Sequence, residues 1–207
     1  DVSTSLASCT VFEYDIAKNL GVPGNKIIFN GPYKTKEELR RAVKEGSRIN
    51  IDSYEEMQLI EEVATEIGKQ VGVGIRINME LNYPPWDRFG FNLEAGHAFE
   101  AVKRVMSSSS LKVVGLHTHA GTYISDVNVY AKVAEKLSSF CSKLQNELHL
   151  KLEYLDIGGG FPVDYFGEKD HSIHEFSNCY KDWKNELYLE PGRFLVGSCG
   201  KLITRVL

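Results

Sequence analysis

Three short stretches combine residue types that bind anions and hold protons: LHTHAGT at 116–122, LDIGGGFP at 155–162 and EPGR at 190–193. In the second, Gly158, Gly159 and Gly160 follow an apolar run. Three residues without Cβ present successive backbone N–H groups with no side chain in front of them, a nest suited to phosphate. The same triplet also suits a tight bend that needs positive φ. In the third, Arg193 offers a rigid fork of donors to phosphate oxygens, and Gly192 lets backbone come close. Glu190, just ahead of them, could hold a protonated ring nitrogen. A surface turn with an ion pair is the plainer reading of EPGR, but it gives no reason for the motif to follow GGG by one strand. The pair of motifs favours a phosphate site. His117 and His119 alternate, so along a strand they share a face. A metal pair would want a carboxylate nearby in sequence, and none is evident. A histidine beside a planar ligand supplies a stacking surface, and Thr122 a hydroxyl for phosphate. His117 fits a packed core histidine.

These residues need strands to position them, and the chain supplies strand-type runs in alternation with helix-type segments. Lys26–Gly31, Arg48–Asp52, Val73–Asn78, Lys112–Ala120, Leu152–Gly158 and Glu186–Leu189 read as strands. Lys36–Glu45 reads as a helix behind a Thr35/Glu38 capping box, and Tyr54–Ile67 as one behind Ser53 and Glu56. Further helices are expected near Glu94–Met106 and over about Val127–Leu148. Such alternation implies a parallel sheet with helices outside it. A doubly wound sheet and a (β/α)8 barrel compete. No G-x-G-x-x-G follows the first strand, which weakens the dinucleotide-binding version. The unusual residues all fall at the C-terminal ends of strands, and in a barrel those ends share one mouth. The expected fold is therefore α/β, a (β/α)8 TIM-type barrel. Counting Asp1-Val2-Ser3 as the tail of a strand gives seven strands, one short of closure. Lys201–Leu207 (KLITRVL) is a further β-like run.

The bulk properties narrow the function by exclusion. The chain has 207 residues, a net charge of −4, 43% hydrophobic and 25% charged residues, and no low-complexity linker, so residues 1–207 read as one domain. There is no basic footprint for nucleic acid and no polybasic run for a membrane surface. No apolar stretch has the length of a membrane span, and no signal peptide is recognised at the start. Four scattered cysteines without a C-x-x-C pair read as reduced thiols in a cytoplasmic protein.

LHTHAGT, LDIGGGFP and EPGR, in this order, closely resemble the fold-type III pyridoxal-phosphate decarboxylases, the group of the diaminopimelate, ornithine and arginine decarboxylases. Earlier in the chain, NGPYK at 30–34, INIDSYEEM at 49–57 and IRIN…RFGF between 75 and 91 resemble the regions of the same family's third, fourth and fifth barrel strands. The resemblance implies the alanine racemase-like barrel, here strands 2 to 8, with pyridoxal 5'-phosphate as cofactor and an amino acid as substrate. It implies that His119 stacks on the cofactor ring and that Thr122 replaces the usual serine near the phosphate. Gly158, Gly159 and Gly160 would cradle the phosphate, Gly192 and Arg193 would close its other side, and Arg76 would lie in the pocket. Glu190 would keep the pyridine nitrogen protonated, so Glu190 and His119 carry the catalytic expectation; no metal is implied. The lysine that the family links to the cofactor lies on a strand before this sequence begins. The C-terminal β-domain, which completes the site across a homodimer interface, is not in the sequence either, and the 207 residues alone are expected to be inactive. Lys34 is the nearest stand-in lysine, yet the family keeps a different lysine there. Two other readings are an inactive barrel with a binding or regulatory role, and an amino-acid racemase. The racemase fits less well, because racemases set an arginine against the ring nitrogen.

Overall fold

Seven strands pair in parallel in the order in which the chain lays them down, in a computed structural model that describes residues 5–84, 86–165, 173–201, 203 and 205. They are β1 (Leu6–Ser8), β2 (Ile27–Phe29), β3 (Arg48–Ile51), β4 (Val71–Asn78), β6 (Leu111–His117), β7 (Tyr154–Asp156) and β8 (Glu186–Tyr188); a two-residue strand, β5 (Phe91–Asn92), pairs beside the end of β4. A doubly wound sheet reverses its strand order at a switch point. This sheet never reverses, which is barrel winding. It also curls back on itself: Arg48 on β3 reaches Glu186 on β8 at 3.2 Å, and Asn30, beyond β2, donates to Glu190, beyond β8. Among the described residues no ladder joins β8 to β1. The expected seven-strand part of a (β/α) barrel is what the chain forms.

The helices start where short-range chemistry dictates. Thr35 and Glu38 exchange both capping bonds at the head of α2 (Lys36–Glu45), and Gly46, in the left-handed region, ends it. Ser53 accepts from the Glu56 N–H to start α3 (Tyr54–Ile67), but the Glu56 carboxylate does not return to Ser53 and turns inward instead. α5 (Val127–Leu148) spans the residues its pattern predicts, behind Asp126, whose side chain accepts from the Asn128 N–H. Two expectations move. α4 (His97–Met106) starts three residues after Glu94, because Gly96 at φ +80° makes the turn and Glu94 accepts from the Glu80 N–H and from Lys136. The strand placed at Asp1–Ser3 lies outside the described residues; the observed one is β1, and α1 (Val11–Asn19) behind it opens on a Thr10/Glu13 capping box. Within KLITRVL, Lys201, Ile203 and Arg205 are not in a strand, and the other four residues lie outside the described set. Among the described residues no helix is long and apolar enough to cross a membrane.

Side chains leave the sheet toward two cores. Outward, Leu155 and Ile157 join the large apolar layer under the helices, with Leu39, Ile60 and Leu137. Inward, the two-residue period of β7 points Tyr154 and Asp156 into the barrel. The Tyr154 ring, fully buried, crosses the interior and donates to Asn50 Oδ1 at 2.7 Å. It leaves no room on the next two strands of the sheet: a Cβ on Gly115 of β6 would lie 2.3 Å from the ring, and one on Gly74 of β4 2.4 Å from the phenol oxygen. These strand glycines exist for that close approach.

Candidate active site

The loops after β6, β7 and β8 interlock through the glycine triplet. Gly158 and Gly160 adopt φ of +68° and +91°. A Cβ on Gly158 would lie 2.6 Å from the Thr118 carbonyl oxygen, on Gly159 2.1 Å from that of Glu190, and on Gly160 2.4 Å from that of Gly121. The triplet is a wedge between the HTHAGT and EPGR loops, so packing alone demands all three glycines. Two of its N–H groups are also committed. Gly158 donates to Asp156 Oδ1 at 2.9 Å and Gly159 to His119 Nδ1 at 3.1 Å. Among the described residues only the Gly160 N–H has no acceptor, so the nest of three open donors narrows to one.

The bond from Gly159 fixes His119 as well. With Nδ1 accepting, the proton of the neutral ring sits on Nε2. Burial, then the charge of Arg76, pushes the His119 pKa down to about 4, so the ring is neutral across the physiological range. Trp86 meets its edge at 6.1 Å and 63°.

A cavity of about 470 Å³ opens where these loops face β1. His119, Thr122, Gly160, Glu190, Gly192 and Arg193 line it, six of the nine residues singled out from sequence. Such a volume suits a small-molecule cofactor. Arg193 is exposed at the mouth on a five-residue helix, Gly192–Val196. The Gly192 N–H donates to the Glu190 carbonyl at 2.8 Å, and a Cβ there would meet nothing within 4 Å. Gly158 and Gly159 stand behind the wall. Arg76 is not brought to the cavity: its Nη1 lies 3.2 Å from Asp52 Oδ1, and its guanidinium covers Phe89.

Behind the cavity lies a polar cluster whose full extent sequence reading missed. The carboxylates of Asp156 and Glu190 and a ring nitrogen of His117 lie within 4.8 Å of one another. Glu190 accepts from Asn30, which in turn accepts from Asn50. Burial is the main cause of the shifts here: it holds His117 well below its usual value and lifts Glu190 to about 7. A signal existed: Asp156 is an acid inside an apolar strand, two positions before GGG. Lys34, by contrast, is closed off. Its ammonium donates to the carbonyls of Gly31 (2.6 Å) and Asn50 (2.9 Å) and to Glu56, which exhausts its three donors. It is a strut and not a stand-in for a cofactor-linked lysine.

Fold and site together define a phosphate-cofactor barrel with its mouth at the C-terminal ends of the strands. The family described as pyridoxal-dependent decarboxylase, pyridoxal binding domain, matches residues 3–197, and the chain belongs to that family. Its relatives include the diaminopimelate decarboxylases of Methanocaldococcus jannaschii, 34% identical over 94% of this chain and 49% of that protein, and of Aquifex aeolicus, 32% identical over 94% and 49%. The crystal structure of the M. jannaschii enzyme in complex with L-lysine superposes with a TM-score of 0.83 at 31% identity, covering 91% of this chain and 48% of the other. The family resemblance read from the motifs is thereby borne out. The chain spans about half the length of the curated relatives it matches.

Proposed function

We propose that this chain is the cofactor-binding barrel of an enzyme that decarboxylates an amino acid with pyridoxal 5'-phosphate. The observation that carries the reading is the gathering, around one cavity, of a carboxylate, a neutral histidine, an open glycine N–H and an exposed arginine. These fit the three parts of that cofactor. Arg193 and the Gly160 N–H, with the Thr122 hydroxyl, would hold its phosphate, a dianion whose oxygens suit a guanidinium fork. His119 offers the ring a flat, uncharged face, held in one tautomer by Gly159. Glu190 offers the ring nitrogen an anionic acceptor, itself held by Asn30. Gly158, Gly159 and Gly192 shape the wall, and Arg76 lends positive charge from behind it.

When bound, the protonated ring supplies an electron sink for the charge left as carbon dioxide departs. The chain's part is to keep that proton on the ring nitrogen. A carboxylate does so, whereas an arginine in its place would not, and this favours decarboxylation over racemisation. The relatives named as diaminopimelate decarboxylases support an amino acid as substrate of the whole protein. A homodimer in the cytoplasm completes the reading.

Titration of the protein with pyridoxal phosphate, followed by absorbance, tests it. Saturable binding that weakens in Arg193→Ala is expected, together with carbon dioxide release from an amino acid by the whole protein. Absence of binding, with no effect of Arg193→Ala, overturns the cofactor site. Binding without carbon dioxide release points to the inactive homologue instead.

A further inference from the structure

Asp156 has an incomplete set of partners. Its Oδ1 accepts from the Gly158 N–H at 2.9 Å, a bond that the bend at Gly158 requires, while its fully buried Oδ2 has no donor among the described residues. The group within reach is another carboxylate, that of Glu190. Two ionised carboxylates in a dry interior repel, and each also loses its hydration.

None of the nearby cations resolves this. Arg76 on β4 is engaged by Asp52, and Lys34 after β2 by Glu56. His117 on β6 stands 3.9 Å from Glu190 Oε2, too far for a hydrogen bond, and burial keeps it neutral. Tyr154 and Tyr188, the other titratable groups facing Asp156, have phenols raised by burial and supply no charge. A proton on the carboxyl pair is what remains.

We propose that Asp156 is a positioning residue, kept as a neutral carboxylic acid that donates from Oδ2 to Glu190, so that the pair carries one negative charge directed at the ring nitrogen of the cofactor. One proton then satisfies the orphaned oxygen and fixes the Glu190 carboxylate between two donors, Asp156 and Asn30. Burial, followed by the Glu190 charge, raises Asp156 well above the usual carboxylate range, and the backbone N–H of Gly158 and the Asn30 side chain only partly oppose this. The same arrangement is known elsewhere in kind: two carboxyls sharing one proton because both cannot ionise at close range. Glu190 thus offers a single charge to a single pyridinium. The last step rests on the reading of the cavity given above, whereas the proton itself does not.

The experiment separates the two. Infrared spectra of the cofactor-free protein at a pH well above 7, where Glu190 is ionised, in H2O and D2O, are compared with Asp156→Asn, which keeps an acceptor for Gly158 and supplies a permanent neutral donor toward Glu190. A protonated-carboxyl C=O band that shifts in D2O and vanishes in Asp156→Asn is expected. No such band in the wild type, or a band that survives in Asp156→Asn, overturns the proposal. Pyridoxal phosphate titrations then compare Asn with Ala. Asp156→Asn should bind as the wild type does and keep the absorbance of the protonated ring. Asp156→Ala should bind about tenfold more weakly, the loss of one charge-assisted bond, and shift that absorbance. Equal binding and equal spectra in Asp156→Ala overturn the positioning role. If the wild type shows the band but takes up no cofactor, the cavity reading falls while the shared proton stands. Circular dichroism checks that the variants fold.

Discussion

Two buried clusters of charge sit a few residues apart in this barrel, and they are built on opposite principles. Around Lys34 every position is filled: three acceptors meet the three ammonium protons, and the second Glu56 oxygen accepts from the Asp52 N–H at 2.7 Å. Around Asp156 the positions are left open. One carboxylate oxygen and both nitrogens of His117 have no partner among the described residues, and the strongest neighbour of Asp156 is a like charge. A saturated pair holds two loops together and has nothing further to bind. An unsaturated one stores the free energy of a missing donor, which an incoming cation or proton can supply. The difference separates the strut from the site.

The largest effect expected in this comparison is on the saturated side. Lys34→Met strands Glu56 in the interior and should cost roughly 3–5 kcal/mol of stability, read by urea unfolding; a loss below about 1 kcal/mol would make the pair no more than a surface-grade contact. Gly159→Ala comes next, since its Cβ would meet the Glu190 carbonyl oxygen at 2.1 Å. A cost of at least about 1–3 kcal/mol is expected from such overpacking, and a neutral result would remove the wedge from the account. Arg193→Ala should leave stability alone but weaken pyridoxal phosphate by about 10- to 100-fold, the range of one charge-assisted contact.

The open cluster also has a pH signature. Burial raises Glu190 from 4.5 to about 7, with Asp156, Arg76 and Asn30 opposing and neutral His117 close by. The folded carboxyl pair therefore takes up a second proton, on Glu190, that the unfolded chain releases. Its contribution is complete below about pH 4.5 and is lost as pH rises through about 7. Relative to Glu190→Gln, wild-type stability should fall across that window by at most about 1.4 kcal/mol per pH unit. His119, lowered to about 4, acts in the opposite sense, since it loses stability as pH falls below 6.5, but both proteins share it. A flat difference would mean that Glu190 is ionised throughout. The smallest effect is Gly192→Ala, where a Cβ meets nothing. Stability should change by no more than about 0.5 kcal/mol, so any fall in cofactor affinity would show that the glycine serves the ligand and not the fold.

Much of this was legible in the chain because it is local. The capping box of Thr35 and Glu38 and the length of α5 follow from neighbours in sequence, and α2, α3 and α5 run over the residues their patterns predict. The positions of HTHAGT, GGG and EPGR at strand ends led to the barrel and to its mouth. What escaped is non-local. Glu56 has the spacing of a second capping box, yet Lys34, 22 residues away, draws its carboxylate inward. Arg76 belongs to the right strand but is taken by Asp52 and Phe89. The glycine triplet reads as an open nest until the carbonyls of Thr118, Glu190 and Gly121 are found against it.

The sequence by itself determined the alternation of strands and helices, the family and six of the residues that line the cavity, because periodicity, caps and ordered motifs are properties of short stretches. Only the tertiary structure decided which buried charges are complete. Completeness depends on donors and acceptors from β2, β3, β6, β7 and β8 converging on one interior, where the low dielectric makes each missing partner costly. Asp156 and Glu190 stand 34 positions apart in the chain (190 − 156), and their closeness exists only because the sheet curls.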